Sequence, residues 1–174
     1  TTIYKNFFPK TKPQGQLRGL VLGGSTAEGF PFASNHSFSA ILEKGLSYSY
    51  GGPVQVLNLG FSAMSSYYVR DTISKVQDLD LDFVVLYTGH NEYYGTISYS
   101  TGGSHGANLL NMMLKESRLS QAIFNTLAPK PMEGKGTLMA KQFDQNQFPP
   151  DNNIEKEVST RLEDNIKKVI SVLK

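Results

Sequence analysis

The pattern of apolar and polar positions divides the chain into alternating short strands and amphipathic helices. Leu17 to Leu22 is a short apolar run closed by Gly23-Gly24, the signature of a buried strand followed by a tight turn. Ser37 is placed to cap a helix whose apolar positions, Phe38, Ile41, Leu42 and Leu46, recur at helical spacing; Gly51-Gly52-Pro53 ends it. Val54, Val56, Leu57 and Leu59 form a second strand stopped by Gly60. Val69, Ile73 and Val76 fall on one face of a helix over about Ser65 to Val76. Phe83-Val84-Val85-Leu86-Tyr87 is a third strand, rich in β-branched and aromatic residues. Beyond it the regularity weakens. Residues 95–106 are rich in Gly, Ser and Thr and read as a loop. Leu109, Leu110, Met113 and Leu114 indicate a helix, with Ile123, Phe124 and Leu127 extending its apolar face. Residues 128–153 hold four prolines and read as an excursion or lid. The last helix has an apolar face of Ile154, Val158, Leu162, Ile166, Val169, Ile170 and Leu173. Glu155 and Glu157 sit near its start and Lys167, Lys168 and Lys174 near its end, as the helix dipole prefers.

Strand, helix, strand, helix, strand at this spacing predicts an α/β fold: a parallel sheet with helices on both faces and right-handed crossovers. Residues 1–16, with Pro9, Pro13 and Gly15, read as a surface lead-in, and 17–174 as one domain. Three parallel strands make a small sheet. The chain ends where a crossover helix is expected to feed a fourth strand, leaving the outer edge of the third unpaired. The expectation is therefore a sheet incomplete on its C-terminal side, in a C-terminally truncated fragment.

Composition narrows the function classes. The 174 residues are enough for one domain with a core, and the formal net charge of +2, from scattered Lys and Arg, argues for neither nucleic acid nor a membrane surface. There is no cysteine, which excludes disulfides and thiolate metal sites. No apolar run approaches the ~20 residues of a membrane helix. The three histidines, His36, His90 and His105, lack the spacing partners of a metal site, so neither a metal nor a cofactor is expected.

Candidate chemistry lies at the strand ends. The first candidate is Gly23-Gly24-Ser25-Thr26-Ala27-Glu28-Gly29. Glycines let the backbone turn sharply and display Ser25 at the carboxyl edge of the sheet, where open α/β sheets bind ligands. A dinucleotide loop needs a different glycine spacing. A phosphate loop needs a Lys where Phe30 stands. A nucleophile elbow is nearly matched, and a plain Gly-Ser turn remains an alternative. Asn58-Leu59-Gly60-Phe61-Ser62 ends the second strand, and Tyr87-Thr88-Gly89-His90-Asn91-Glu92 ends the third. Each is weak alone. All three fall at the carboxyl ends of successive parallel strands, so a hydroxyl, a backbone N–H and a side-chain amide converge on one cleft. Those are the parts of an acyl-transfer site, the amides holding the oxyanion formed when Ser25 attacks a carbonyl.

These motifs resemble three sequence blocks of the SGNH/GDSL serine hydrolases. Gly-Gly-Ser-Thr resembles the first, usually Gly-Asp-Ser; Asn58-x-Gly60 resembles the second; Gly89-His90-Asn91-Glu92 resembles the third, usually Gly-x-Asn-Asp. The longer runs through Pro31 and through Gly95 look like a bacterial branch of that family, often fused to modules such as helical repeats. The likeness is good over 17–95 and loose beyond. It implies a three-layer α/β/α, flavodoxin-like sheet. It implies Ser25 as nucleophile and an oxyanion hole of the Ser25 and Gly60 N–H groups with the Asn91 side chain. Its substrate would be an acyl or O-acetyl ester, a small molecule or a carbohydrate. The tilt is toward a bacterial cell envelope or periplasm. Gly24 stands where the family has Asp, of little consequence because that Asp is not the catalytic acid. Glu92 replaces the second Asp of the third block, and a structural role is expected for it. The family's Asp-x-x-His, which supplies the base and its orienting acid, occurs nowhere in the chain. The chain alone is therefore expected to be nearly inactive.

The histidines do not fill that gap. His90 adjoins Asn91 but is not the family's base position, His36 lies in a loop or helix start, and His105 lies in the Gly/Ser loop and is expected to be solvated. Tyr93, Tyr94, Tyr99, Tyr67 and Tyr68 either flank the cleft and stack on a sugar or pack in half-buried positions. Three function classes follow. A serine ester hydrolase comes first. A non-catalytic binding or scaffolding domain on the same fold is the alternative. A nucleotide-binding domain is disfavoured because both phosphate-loop patterns fail.

Overall fold

The structure is a computed structural model, and it describes residues 9–32, 36–94, 104–114 and 152–174. The elements run β1 (Leu17–Gly23), α1 (Ser25–Glu28), α2 (Phe38–Ser49), β2 (Val54–Asn58), α3 (Ser66–Val76), a 3-10 turn (Gln77–Leu79), β3 (Phe83–Tyr87), α4 (Asn91–Tyr94), α5 (His105–Leu114) and α6 (Asn152–Leu173). Of the excursion expected over 128–153, residues 128–151 lie outside the described residues, as do Ile123, Phe124 and Leu127, while Asn152 and Asn153 already belong to α6.

The three strands form one parallel sheet in the order β2-β1-β3. Register aligns Val21 with Asn58 and Gly23 with Tyr87. Alternation along β1 then decides the layers, because successive side chains point to opposite faces. Leu20 and Leu22 pack with Leu57, Val69, Ile73, Leu79 and Val169 on one face. Val21 packs on the other with Ala27 and Val56, against Phe38, Leu42 and Leu46. Helices α3 and α6 thus cover one face and α1 and α2 the other, giving three α/β/α layers. Among the described residues no strand pairs with the outer edge of β3.

Two helical faces differ from the sequence pattern. Ile41 is 65% exposed, so α2 buries Phe38, Leu42 and Leu46, with Ser39 fully enclosed. On α6, Ile170 and Leu173 are exposed, and the buried stripe is Val158, Arg161, Asn165 and Val169. Polar residues occupy it because polar partners face it. The Asn165 amide donates to Ser66 Oγ (2.9 Å), and Arg70 donates to Asn165 Oδ1 (3.3 Å).

The edge of the sheet opposite the candidate motifs is held by Arg18, which is fully buried. Its guanidinium donates to the carbonyls of Lys10 (3.1 Å), Leu79 (3.0 Å) and Pro9 (3.0 Å) and to Gln16 Oε1 (3.3 Å). Asp82 accepts the Arg18 backbone N–H (2.7 Å) and pairs with Lys12 (2.9 Å), contacts that hold its carboxyl below the usual range. The segment from Pro9 to Gln16 is thus fastened to the base of β1 and β3. Arg18→Met keeps the stem and loses every donor. Hydrogen bonds to a charged donor are each worth ~1.5–3 kcal/mol, partly offset by removing a buried charge, so we expect a loss of about 2–4 kcal/mol. Urea unfolding checks this; an unchanged midpoint would mean the guanidinium contributes nothing net.

Candidate active site

The turn after β1 is fixed by close packing. A Cβ at Gly23 would stand 2.0 Å from the Tyr87 carbonyl oxygen, and the residue has φ +155°. Only glycine fits. The chain then enters α1, a single turn with Ser25 at its first position and Gly29 closing it in the left-handed conformation. Glu28 N–H donates to the Gly24 carbonyl (3.0 Å), and the Ser25 carbonyl accepts from Gly29 (3.0 Å) and Phe30 (2.9 Å). The Ser25 N–H, in the first turn, is not used by the helix itself. Ser25 is half-buried at the sheet edge.

The two other strand ends close on this turn. Leu59 N–H donates to the Val21 carbonyl (2.9 Å) and Phe61 N–H to that of Gly23 (3.0 Å), so the segment after β2 runs alongside it. Asn58 joins this segment to α1: its Nδ2 donates to the Ala27 carbonyl (2.8 Å) and to Ser39 Oγ (2.8 Å). Asn58 Oδ1 accepts the Gly60 N–H (2.9 Å). A Cβ at Gly60 would lie 2.4 Å from Glu28 N and 2.6 Å from the Ala27 carbonyl carbon, so glycine is required there as well. From the third strand end, Asn91 begins α4 and is buried, its Nδ2 donating to the Met64 carbonyl (2.8 Å). A Cβ at Gly24 would stand 2.4 Å from that Nδ2 and 3.4 Å from His90 Cε1. The Asn91 amide therefore rests on the residue preceding Ser25. A side chain at position 24 would have to displace the Asn91 amide from this place.

Glu92 has the structural role expected of it. Its buried carboxylate accepts Ser66 N–H (2.6 Å) and Ser66 Oγ–H (3.0 Å), capping α3 and joining α4 to it. Burial raises its pKa above the ordinary carboxylate value, against the Ser66 hydrogen bonds and nearby Arg161, which favour the ionised form.

Of the three histidines, one is placed differently from the sequence reading. His36 and His90 are exposed, and His90 lies beside Gly24. His105 is not solvated in a loop. It starts α5, its Nδ1 lies 2.5 Å from the Tyr67 hydroxyl and its Nε2 is 3.5 Å from Asp164. Burial lowers its pKa, outweighing the pull of Asp164. Among the described residues Ser25 Oγ has no histidine at hydrogen-bond distance. Tyr67 is 1% exposed and packs on His105, which removes it from any cleft, and Tyr68 donates to the Leu59 carbonyl (3.2 Å). Tyr99 and the Tyr94 side chain lie outside the described residues. Exposed aromatics at this edge are instead Phe30, Phe32, Phe61 and Tyr87. Among the described residues no three His, Asp or Glu side chains are grouped to hold a metal ion, and no helix is long and apolar enough to cross a membrane.

The sequence reading missed the anchoring roles of Asn58, Glu28 and Ser62. Asn58 at a strand end followed by a glycine was the available signal, and it reads equally as a turn.

No protein-family model and no curated protein matches this chain. Solved structures similar to it include AlinE4, an SGNH-hydrolase family esterase, at 14% identity over 89% of this chain and 97% of that one, with a TM-score of 0.41. A mutant of the esterase AlinE4 is 17% identical over 88% and 96%, and TesA is 13% identical over 90% and 98%, both at a TM-score of 0.41.

Proposed function

We propose that the chain is a serine ester hydrolase of the SGNH type, in which Ser25 attacks an acyl or O-acetyl ester. The observation that carries the reading is the Asn91 amide packed on Gly24, beside Ser25, at the carboxyl edge of a parallel sheet. Attack puts negative charge on the carbonyl oxygen. The Ser25 N–H and the second N–H of Asn91 Nδ2 are the donors for it. The Gly60 N–H is given to Asn58 Oδ1, so it joins them only by sharing its hydrogen or by a small turn of the Asn58 amide.

Acylation needs a base to take the Ser25 proton, and deacylation needs one to activate water. With no imidazole at Ser25 among the described residues both steps are slow, and the acyl-enzyme accumulates only with an activated ester, whose aryloxide leaves without general acid and so makes acylation the faster step. A small aryl ester in excess is therefore expected to release about one equivalent of phenol per chain in a slow burst. Release at the buffer rate alone contradicts the reading. A non-catalytic binding domain on the same fold is the second reading, favoured by that same missing imidazole, and it predicts no burst.

A further inference from the structure

Three alternate residues, the last of β2 and two beyond it, meet α1. Asn58 donates to the carbonyls of Ala27 (2.8 Å) and Glu28 (3.4 Å), Gly60 lies flush on the Ala27–Glu28 backbone, and Ser62 Oγ donates to Glu28 Oε2. Asn58 secures this segment before Gly60. Glu28 secures it after. Glu28 also lies three residues from Ser25 on the same helical turn, so any tilt of α1 moves both. The Glu28 carboxylate is half-buried, and Ser62 is its only hydrogen-bond partner among the described residues.

We propose that Glu28 is a positioning residue: through Ser62 it holds the Gly60 segment against α1 and so fixes the spacing between Ser25 and the Gly60 amide. The inference rests on the serine-hydrolase reading for its consequence in catalysis but not for its geometry. A side chain three residues beyond the nucleophile, with no contact to the reacting atoms, thereby sets the width of the oxyanion pocket.

The test measures amide hydrogen exchange and ester burst kinetics together, on the intact chain and on Glu28→Ala, Ser62→Ala and Glu28→Gln. Losing a hydrogen bond to a charged acceptor should speed exchange at Gly60 and Phe61 by about tenfold or more, while Leu20 and Val21 in the central strand keep their protection. The burst rate should fall in both alanine variants with little change in the ester concentration giving half-maximal rate. Glu28→Gln should recover much of both, because its amide oxygen still accepts from Ser62. Unchanged exchange at Gly60 in Glu28→Ala overturns the proposal. So does acceleration spread equally over the central strand, which would make Glu28 a general stabiliser. If the unaltered chain gives no burst, the hydrolase reading fails, and the exchange data alone still decide whether Glu28 positions Gly60.

Discussion

Alanine at position 25 will abolish the phenol burst, because no acyl-enzyme forms without the Ser25 oxygen; with no imidazole at Ser25, the slow background turnover should change far less than it would in a complete triad. No other described side chain is offered the same combination: a hydroxyl on the first residue of a helical turn, against two glycines, with the Asn91 amide alongside. The substitution removes one oxygen from a half-buried position and leaves α1 intact, since the helix uses the Ser25 carbonyl rather than its hydroxyl. The thermal midpoint should therefore barely move. A variant that keeps its melting behaviour and its burst would show that any ester reaction belongs to another nucleophile.

Replacing Asn91 has the second largest effect. Removing one oxyanion donor costs about 10²–10³ in rate when its hydrogen bond forms only in the transition state. Asn91→Ala also removes the hydrogen bond to the Met64 carbonyl, a stability cost of about 0.5–1.5 kcal/mol. The more telling variant is Asn91→Asp, which keeps the shape and sets an acceptor-only group where the developing oxyanion needs a donor. It should slow acylation at least as much as the alanine variant. Equal burst rates in the unaltered chain and Asn91→Asp, with both folded by circular dichroism, would remove Asn91 from the oxyanion hole.

Much of this arrangement was legible in the sequence, and the limits have physical causes. The strands at Leu17–Gly23 and Phe83–Tyr87 were readable because a strand with apolar packing on both faces is a short apolar run bounded by glycine. The α3 face was readable because Val69 and Ile73 are apolar and meet apolar neighbours. The inner face of α6 was not, because Arg161 and Asn165 are buried on it and Ile170 is exposed. A polar residue reads as outward unless its partner is known, and Ser66, far off in sequence, is not adjacent in any pattern. His105 failed for the same reason: its neighbours in sequence are Gly and Ser, while its neighbour in space is Tyr67. The candidate site was legible as three strand ends. What the sequence left open was the role of each glycine. Gly23, Gly24 and Gly60 are all contact glycines, packed on the Tyr87 carbonyl, the Asn91 amide and the α1 backbone. Spacing alone gives turns, and only the packing distinguishes a turn from a close approach. Asn58, read as a turn or cap residue, caps the Gly60 N–H and ties it to α1.

The central claim is that Ser25 is a nucleophile beside an oxyanion hole, and a fluorophosphonate tests it most directly. Its phosphoryl oxygen mimics the tetrahedral oxyanion, and its reaction with serine is a single covalent step that needs no deacylation. The intact chain is treated, digested and mapped by mass spectrometry. The account predicts one adduct, on the peptide containing Ser25, formed more slowly in Asn91→Asp. An adduct spread over other hydroxyls such as Ser62 or Tyr87, or no adduct at all, would contradict it.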